Sequence, residues 1–295
     1  MITRILAPVD GCGRSEAILP YVEALSKRLG ARVTLLHVFP SSLHEQRDIH
    51  VHYVETLADQ LRERLHDAQV QVEGIALEGK PNREIVEFAS RDDVSLIAAS
   101  PHSQSSDGHW TVGRTADKVV RETSKPVLLV RTERSVVDAE ADVLNRVIVP
   151  LDGSKASRDV LVHVDAILRE TWTAGASKVW LLHVLPADHY AAGPVIAKRV
   201  PYTKQESDEL HAQASRYLEE VAARLRAAGK LAETIVTTGD AAEMILRQAM
   251  SVRANLIAMT THGYSGFSQL FLGSVAERVL HKADTPLLLV KPQRY

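Results

Sequence analysis

Short runs of apolar, β-branched residues alternate with longer amphipathic stretches along the whole chain. Apolar positions at helical spacing predict helices over 157–169 and 207–228 in the C-terminal half. Between such stretches the pattern predicts strands near 146–151, 178–184, 232–237, 255–260 and 286–290. Continuously apolar strands that alternate with helices are typical of a parallel sheet covered on both faces. We therefore predict an α/β fold.

The chain repeats itself once. The segments RILAPVDG, VTLLHV and KPVLLV, which begin at Arg4, Val33 and Lys125, return as RVIVPLDG, VWLLHV and TPLLLV, which begin at Arg146, Val179 and Thr285. The offset grows from 142 to 146 and then to 160, so the second copy has an insertion, which we expect within 186–205. A period this long indicates two similar domains rather than a solenoid.

The domain boundaries follow from the repeat and from a polar, acidic stretch between the copies. We expect the first domain at 1–132, a linker at 133–145 and the second domain at 146–295. A length of 295 residues agrees with two domains of ordinary size. The matching last strands, at 126–130 and 286–290, are expected to pair antiparallel, which would make the chain an internal pseudo-dimer; a homodimer of the chain is left open.

Bulk composition restricts the classes of partner. A formal net charge of -2 provides no overall attraction to nucleic acid or to an anionic membrane. The sequence contains no apolar run of the roughly 18 residues that a membrane span requires. The single cysteine, Cys12, excludes an internal disulfide and fits a reducing compartment. A cytoplasmic protein without nucleic-acid or membrane partners is expected.

Glycines and hydroxyl side chains follow the fourth predicted strand of the second copy. In open parallel sheets, ligands bind beyond the carboxyl ends of the strands. Here Thr260, Gly263, Gly273 and Ser274 follow the strand, and a predicted helix opens at Gly273. The unpaired amides of a helix start hold phosphate well. The alternative is that these glycines only turn the chain and that Ser274 caps the helix.

The spacing Thr260-x2-Gly263-x9-Gly273-Ser274 resembles the Gly-x2-Gly-x9-Gly-(Ser/Thr) motif of ATP-binding universal stress proteins. Only Thr260 departs from that motif, so its side chain must fit beside the phosphates or hydrogen-bond to them. The resemblance extends over nearly the whole chain in two copies. It includes the Pro-x-Asp-Gly-Ser segment at 150–154, the Leu-Leu-His-Val strand ends and the Thr-Pro-Leu-Leu-Leu-Val finish.

The resemblance implies two Rossmann-like domains of the adenine nucleotide alpha hydrolase-like kind, each with a five-stranded, parallel-type sheet flanked by helices. It implies ATP as the ligand, with Mg²⁺ held through the phosphates as an option. Asp152 would lie against the adenine, or would only cap the following helix. The implied binding residues are Pro150, Leu151, Asp152, Val184 and Met259 around the adenine, and Thr260, Gly263, Gly273, Ser274 and Val275 around the phosphates.

His183 is interpreted as a strand histidine with a structural hydrogen bond rather than as a catalytic base. No catalytic residue and no metal site are expected from the sequence.

The first copy departs further from the motif. Its equivalent segment begins Ser100-Pro101-His102-Ser103, and Arg114 follows Gly113 in place of the phosphate-facing serine. Arg114 either pairs with a phosphate or fills the space that a phosphate would need. We expect an altered pocket in this copy, although binding of adenine alone stays open. The corresponding candidates are Pro8, Val9, Asp10, Val38, Gly113 and Arg114.

Together these features predict an ATP-binding stress-response protein that regulates unknown protein partners through nucleotide occupancy. Two alternatives stay open: a slow ATP hydrolase, and a dimerisation or binding scaffold with a vestigial pocket. Neither copy contains the glycine-rich loop ending in Lys-(Ser/Thr) that is common in phosphate hydrolases. At most a weak ATPase activity is therefore expected.

Overall fold

The computed structural model describes residues 2–101, 112–131, 144–173, 177–191, 198–262 and 272–292. The first domain alternates strands and helices, as its apolar pattern predicts. Its elements are β1 (Arg4–Val9), α1 (Gly13–Glu16), α2 (Leu19–Leu29), β2 (Arg32–Phe39), α3 (Arg47–Leu65), β3 (Val72–Glu78), α4 (Pro81–Ala89), β4 (Leu96–Ala99), α5 (Arg114–Glu122) and β5 (Val127–Leu129), with short 3-10 helices at Ser41–Gln46 and His66–Ala68.

The second domain repeats this order with one addition. Its elements are β6 (Arg146–Pro150), a 3-10 turn (Ala156–Asp159), α6 (Val160–Thr173), β7 (Lys178–Leu185), β8 (Asp188–Ala191), β9 (Lys198–Pro201), α7 (Lys204–Ala227), β10 (Leu231–Thr238), α8 (Ala241–Ser251), β11 (Leu256–Thr260), α9 (Ser274–Lys282) and β12 (Leu287–Val290). The addition is the antiparallel pair of β8 and β9, which lies within the expected insertion at 186–205.

The strand and helix predictions for the second domain are confirmed to within a few residues. The largest difference is the end of α6, at Thr173 rather than at the expected 169, and α7 begins at Lys204 rather than at the expected 207. Thr203 and Glu206 form a capping box there: the Thr203 hydroxyl accepts a hydrogen bond from the Glu206 amide, and the Glu206 carboxylate accepts one from the Thr203 amide. This reciprocal pair satisfies two free donors and extends the helix beyond its apolar stripe.

All the main strands join one ten-stranded sheet in the order β10-β7-β6-β11-β12-β5-β4-β1-β2-β3. Each domain contributes five strands, which are parallel to one another. At the junction β5 pairs antiparallel with β12, with Leu128 opposite Leu288. The expected pairing of the last strands is confirmed, and the strand order reads alike from either end of the sheet.

Helices cover both faces of the sheet, so the strands are buried on both sides. One apolar layer lies between the sheet and helices α2, α3, α6 and α7, and the other between the sheet and α4, α5, α8 and α9. Both layers contain residues from both domains. Most of the expected linker lies outside the described residues, but Leu144 and Asn145 at its end are buried. None of the described helices is long and apolar enough to cross a membrane.

Candidate functional site

A cavity of about 280 Å³ opens at the carboxyl ends of β6, β7 and β11 in the second domain. This is where the strand order reverses, with β7 on one side of β6 and β11 on the other. Parallel sheets bind ligands at such switch points. The wall consists of Pro150, Leu151, Asp152, Ser157, Leu182, Val184, Ala241, Ile245, Met259, Thr260, Thr261, His262, Gly273, Ser274, Val275 and Ala276.

The structure brings nearly all of the predicted residues of this domain together around the cavity. Pro150, Leu151, Asp152, Val184, Met259, Thr260, Gly273, Ser274 and Val275 all line it. Gly263 lies outside the described residues. The wall also contains residues that were not among the predicted binding residues: Ser157, Leu182, Ala241, Ile245, Thr261, His262 and Ala276. Ile245 and Ala276 follow ordinary core periodicity, and only the packing of α8 and α9 places them at the wall.

The turn after β6 is held by its own side chains. Asp152 Oδ1 accepts hydrogen bonds from the Ser154 amide (2.9 Å) and the Ser154 hydroxyl (2.6 Å). Gly153 between them has φ 91°, a left-handed conformation that favours glycine. The Ser157 amide donates to Ser154 Oγ at 3.0 Å. Ser154 therefore accepts from the 3-10 segment, and the exposed Asp152 closes the turn at the cavity wall.

The start of α9 forms the polar side of the cavity. Gly273 is its N-cap and donates its amide to the Thr261 carbonyl at 2.8 Å. A Cβ on Gly273 would lie 3.0 Å from that carbonyl oxygen, so a side chain at this position would push the Thr261 backbone away by a few tenths of an ångström. Ser274 is the first residue inside the helix and is exposed, so the alternative that it caps α9 is wrong. The first-turn amides of α9 are left available at the wall.

The segment after β11 is ordered by hydroxyl groups. The Thr260 hydroxyl donates to the His262 carbonyl at 2.9 Å, so this side chain bonds to its own turn. The Thr261 hydroxyl lies 3.1 Å from His262 Nδ1. His262 Nε2 is buried and has no hydrogen-bond partner within the described part of the chain. Burial, and then repulsion from Lys291, lower the pKa of His262, which favours an uncharged imidazole at the wall.

His183 is a structural residue. Its Nδ1 lies 2.7 Å from the Leu151 carbonyl oxygen, and its ring contacts Tyr217 edge to face. This hydrogen bond connects β7 to the residue after β6. The interpretation of His183 as a satisfied strand histidine is confirmed, and the residue is absent from the cavity wall.

An equivalent cavity of about 260 Å³ lies in the first domain. Its wall consists of Pro8, Val9, Asp10, Ser15, Leu36, Val38, Pro81, Ile85, Ala99, Ser100, Thr115, Ala116, Val119, Val127 and Leu129. The predicted Pro8, Val9, Asp10 and Val38 are therefore brought together. Gly113 and Arg114 are not. Gly113 is the N-cap of α5, Arg114 is exposed, and neither residue belongs to the described wall.

The fold and these two cavities define a class of protein: a tandem of Rossmann-like α/β domains with a ligand-sized cavity at each strand switch point. The sequence profile of the Universal stress protein family matches residues 1–131 and 144–291. The chain belongs to the universal stress protein family, with two family domains in tandem.

Individual relatives agree with this assignment. A universal stress protein from Mycolicibacterium smegmatis is 23% identical over 98% of this chain and 97% of its own length. A universal stress protein from Methanocaldococcus jannaschii is 27% identical over 53% of this chain and 88% of its own length. The crystal structure of a universal stress protein from Archaeoglobus fulgidus has the same fold, with a TM-score of 0.72 at 20% identity over 98% of each chain.

Proposed function

We propose that this chain is an ATP-binding regulatory protein of the stress response, with the nucleotide in the C-terminal cavity. The observation that carries the proposal is that one cavity has both an apolar wall and a wall of backbone amides. An apolar wall at Pro150 and Leu151 faces the amides at the start of α9. A nucleotide has the same division, because its base is flat and weakly polar and its phosphates are anionic.

The adenine is proposed to lie between the end of β6 and the end of β7. Pro150, Leu151 and Met259 offer apolar contacts there, and Val184 offers backbone groups at the end of its strand. Asp152 is proposed to accept a hydrogen bond from the adenine amino group. Mostly apolar walls with a few fixed polar groups are typical of small-molecule sites.

The phosphates are proposed to bind at the amides of Ser274 and Val275, while Gly273, whose own amide donates to the Thr261 carbonyl, lets them approach the backbone closely. These residues open a nine-residue helix, whose positive dipole end favours anions. Gly263 is proposed to contribute a further amide. Any Mg²⁺ that accompanies ATP would be held through the phosphates.

Helix α9 connects this site to the other domain. Glu277, in the first turn of α9, accepts a hydrogen bond from Arg121 of α5 at 3.0 Å. Phosphate occupancy at one end of α9 would thus act on a helix that contacts both domains. We propose that this contact is how ATP changes the surface offered to a protein partner.

Calorimetric titration of ATP tests the proposal. Wild type is expected to bind ATP at the C-terminal cavity at least tenfold more tightly than at the N-terminal one, a difference of about 1.4 kcal/mol. Gly273→Val should abolish most binding, because its side chain would crowd Thr261 and the phosphates. Gly113→Val is the matched control, since both glycines are N-caps with nearly identical backbone angles. Equal losses in the two variants would contradict the proposal.

A slow ATP hydrolase is the second candidate function, and His262 favours it. Its uncharged ring lines the cavity and its Nε2 lacks a partner among the described residues. Such a group could orient a water molecule. The described wall contains no lysine or arginine that could stabilise the charge developing on a transferred phosphoryl group.

A further inference from the structure

The two cavities are built from equivalent residues but extend in different directions. The offsets of the repeat relate Pro8, Asp10, Val38, Ile85 and Ala116 in the first wall to Pro150, Asp152, Val184, Ile245 and Ala276 in the second. The C-terminal cavity continues to Thr261, His262, Gly273 and Ser274. The N-terminal cavity continues instead to Val119, Val127 and Leu129.

Two smaller residues of the first copy accompany the apolar extension: Val127 stands where the second copy has Leu287, and Ala99 stands where it has Met259. Ala99 in β4 is equivalent to Met259 in β11, and their sheet neighbours are Leu129 and Leu289. Paired residues of parallel strands point to the same face of the sheet. Met259 fills the space beside Leu289, which does not line its cavity, whereas the short Ala99 leaves Leu129 accessible from the first cavity.

The extension reaches the interior of the first domain. Val119, Val127 and Leu129 are 3%, 2% and 3% exposed and belong to the apolar layer under α4 and α5. We name the space bounded by these three residues and Ala99 the apolar pouch. An apolar cavity of about 150 Å³ in another protein is large enough to hold benzene. At about 260 Å³, the N-terminal cavity with its pouch has room for a larger ring system.

The polar groups of this cavity are few and mostly engaged. Ser15 Oγ donates to the Cys12 carbonyl at 2.9 Å, and Ser100 Oγ donates to the Val130 carbonyl at 3.1 Å. Asp10 Oδ1 accepts from the Cys12 amide at 2.9 Å. Thr261, Gly273 and Ser274 of the second cavity have counterparts in Pro101, Gly113 and Arg114, none of which lines the described wall here, whereas Thr260 and Val275 have counterparts in Ser100 and Thr115, which do line it. A phosphate chain would find fewer groups to bind here than in the second cavity.

We infer that the N-terminal cavity is a second ligand site, which takes a small, uncharged and largely apolar ring compound rather than a nucleoside triphosphate. The ring occupies the apolar pouch, and a single polar group on the ligand lies near Asp10. Ala99 determines this specificity because it leaves the pouch open. The two domains thus respond to two different classes of molecule. The inference is independent of ATP binding in the C-terminal domain.

Titrations with 1-naphthol and indole test the inference, because both are uncharged rings with one polar group. Each probe is expected to bind wild type with a stoichiometry of one, as measured by calorimetry. Ala99→Met introduces the residue of the other domain and should weaken probe binding at least tenfold. The reciprocal Met259→Ala should open a pouch beside Leu289 and raise the stoichiometry to two.

Two measurements keep the test decisive if Ala99→Met lowers stability. Circular dichroism and thermal unfolding establish that the variant is folded, and Leu129→Phe provides a second way to fill the pouch. The inference is overturned if neither probe binds wild type, or if both filled variants bind the probes as tightly as wild type. It is also overturned if ATP binds at two sites and displaces the probe. Loss of ATP binding from the C-terminal cavity, by contrast, would overturn only the proposed function.

Discussion

Arg131 and Lys291 make the same contact from opposite domains. Each follows the last strand of its domain and donates hydrogen bonds to the carbonyl end of the other domain's last helix. Arg131 Nη2 donates to the carbonyls of Leu280 (2.9 Å) and His281 (2.7 Å) in α9, and Lys291 Nζ donates to the Arg121 carbonyl in α5 at 2.6 Å. Cations at helix C-termini satisfy unpaired carbonyls and oppose the negative dipole end. The antiparallel pairing of β5 with β12 is thus reinforced by reciprocal caps.

Replacing Arg131 by methionine should destabilise the junction between the domains. The variant loses two charge-assisted hydrogen bonds and leaves the carbonyls of Leu280 and His281 with poorer partners. We expect a loss of about 1 to 3 kcal/mol in the free energy of unfolding. Urea denaturation followed by circular dichroism measures it.

Lys125→Met is the control for that experiment. Lys125 also donates to a backbone carbonyl, that of Arg91 at 3.0 Å, but the contact is exposed and lies within one domain. We expect this variant to change stability by less than about 0.5 kcal/mol. Identical urea midpoints for Arg131→Met and wild type would show that the reciprocal caps do not hold the domains together.

Asp152→Ala should weaken ATP binding by about tenfold, which corresponds to one hydrogen bond of ordinary strength. Asp152→Asn keeps an oxygen that can accept from Ser154, so the turn after β6 should survive and the loss should be smaller. Asp10→Ala is the matched change in the first domain and should leave the tight ATP site unaffected. If Asp10→Ala costs as much affinity as Asp152→Ala, adenine is not recognised at the C-terminal cavity alone.

ATP turnover should be slower than about 1 per second, below the ordinary enzyme range of about 1 to 1000 per second. The described wall contains no lysine or arginine to stabilise the charge that develops in the transition state, and binding that is equal in the ground and transition states does not raise the rate. A phosphate-release assay with saturating ATP measures the turnover, and His262→Gln shows whether the imidazole contributes. A wild-type rate within the ordinary range would favour the hydrolase over the regulatory function.

Acid should destabilise the first domain through His37. Burial, and then repulsion from His50, lower the pKa of His37, against the raising effects of its hydrogen bond to the Val9 carbonyl and of Asp10. Because the folded-state pKa lies below the unfolded value of about 6.5, the unfolded chain binds more protons and stability falls as the pH drops below that value.

Thermal unfolding at about pH 7.5 and about pH 5.5 measures this effect. His37→Gln should lose less stability than wild type over the interval. His52→Gln, a change on the exposed side of α3, should behave like wild type. A pH dependence in His37→Gln as steep as in wild type would assign the acid sensitivity to other groups.

The sequence predicted the elements and the centre of the C-terminal site well because both leave local signals. Apolar periodicity predicts the strands and helices. The spacing between Thr260 and Gly273 predicts that a helix begins shortly after a strand ends. Ile245 and Ala276 leave no such signal, because a cavity-lining residue on a helix has the same pattern as a core residue. No sequence pattern predicts the contact between the Thr261 hydroxyl and His262 Nδ1 either.

The sequence by itself determined the duplication, the α/β alternation and the edge of the sheet at which the cavities lie, since each depends on residues close together along the chain. Only the tertiary structure decided the exchange of caps between Arg131 and Lys291 and the direction in which each cavity extends. The Ala99 and Met259 pair illustrates the reason. Both are ordinary apolar strand residues in the sequence, and their different effects appear only when residues 30 positions away, Leu129 and Leu289, pack beside them. Cavity shape depends on such distant contacts, which local pattern does not record.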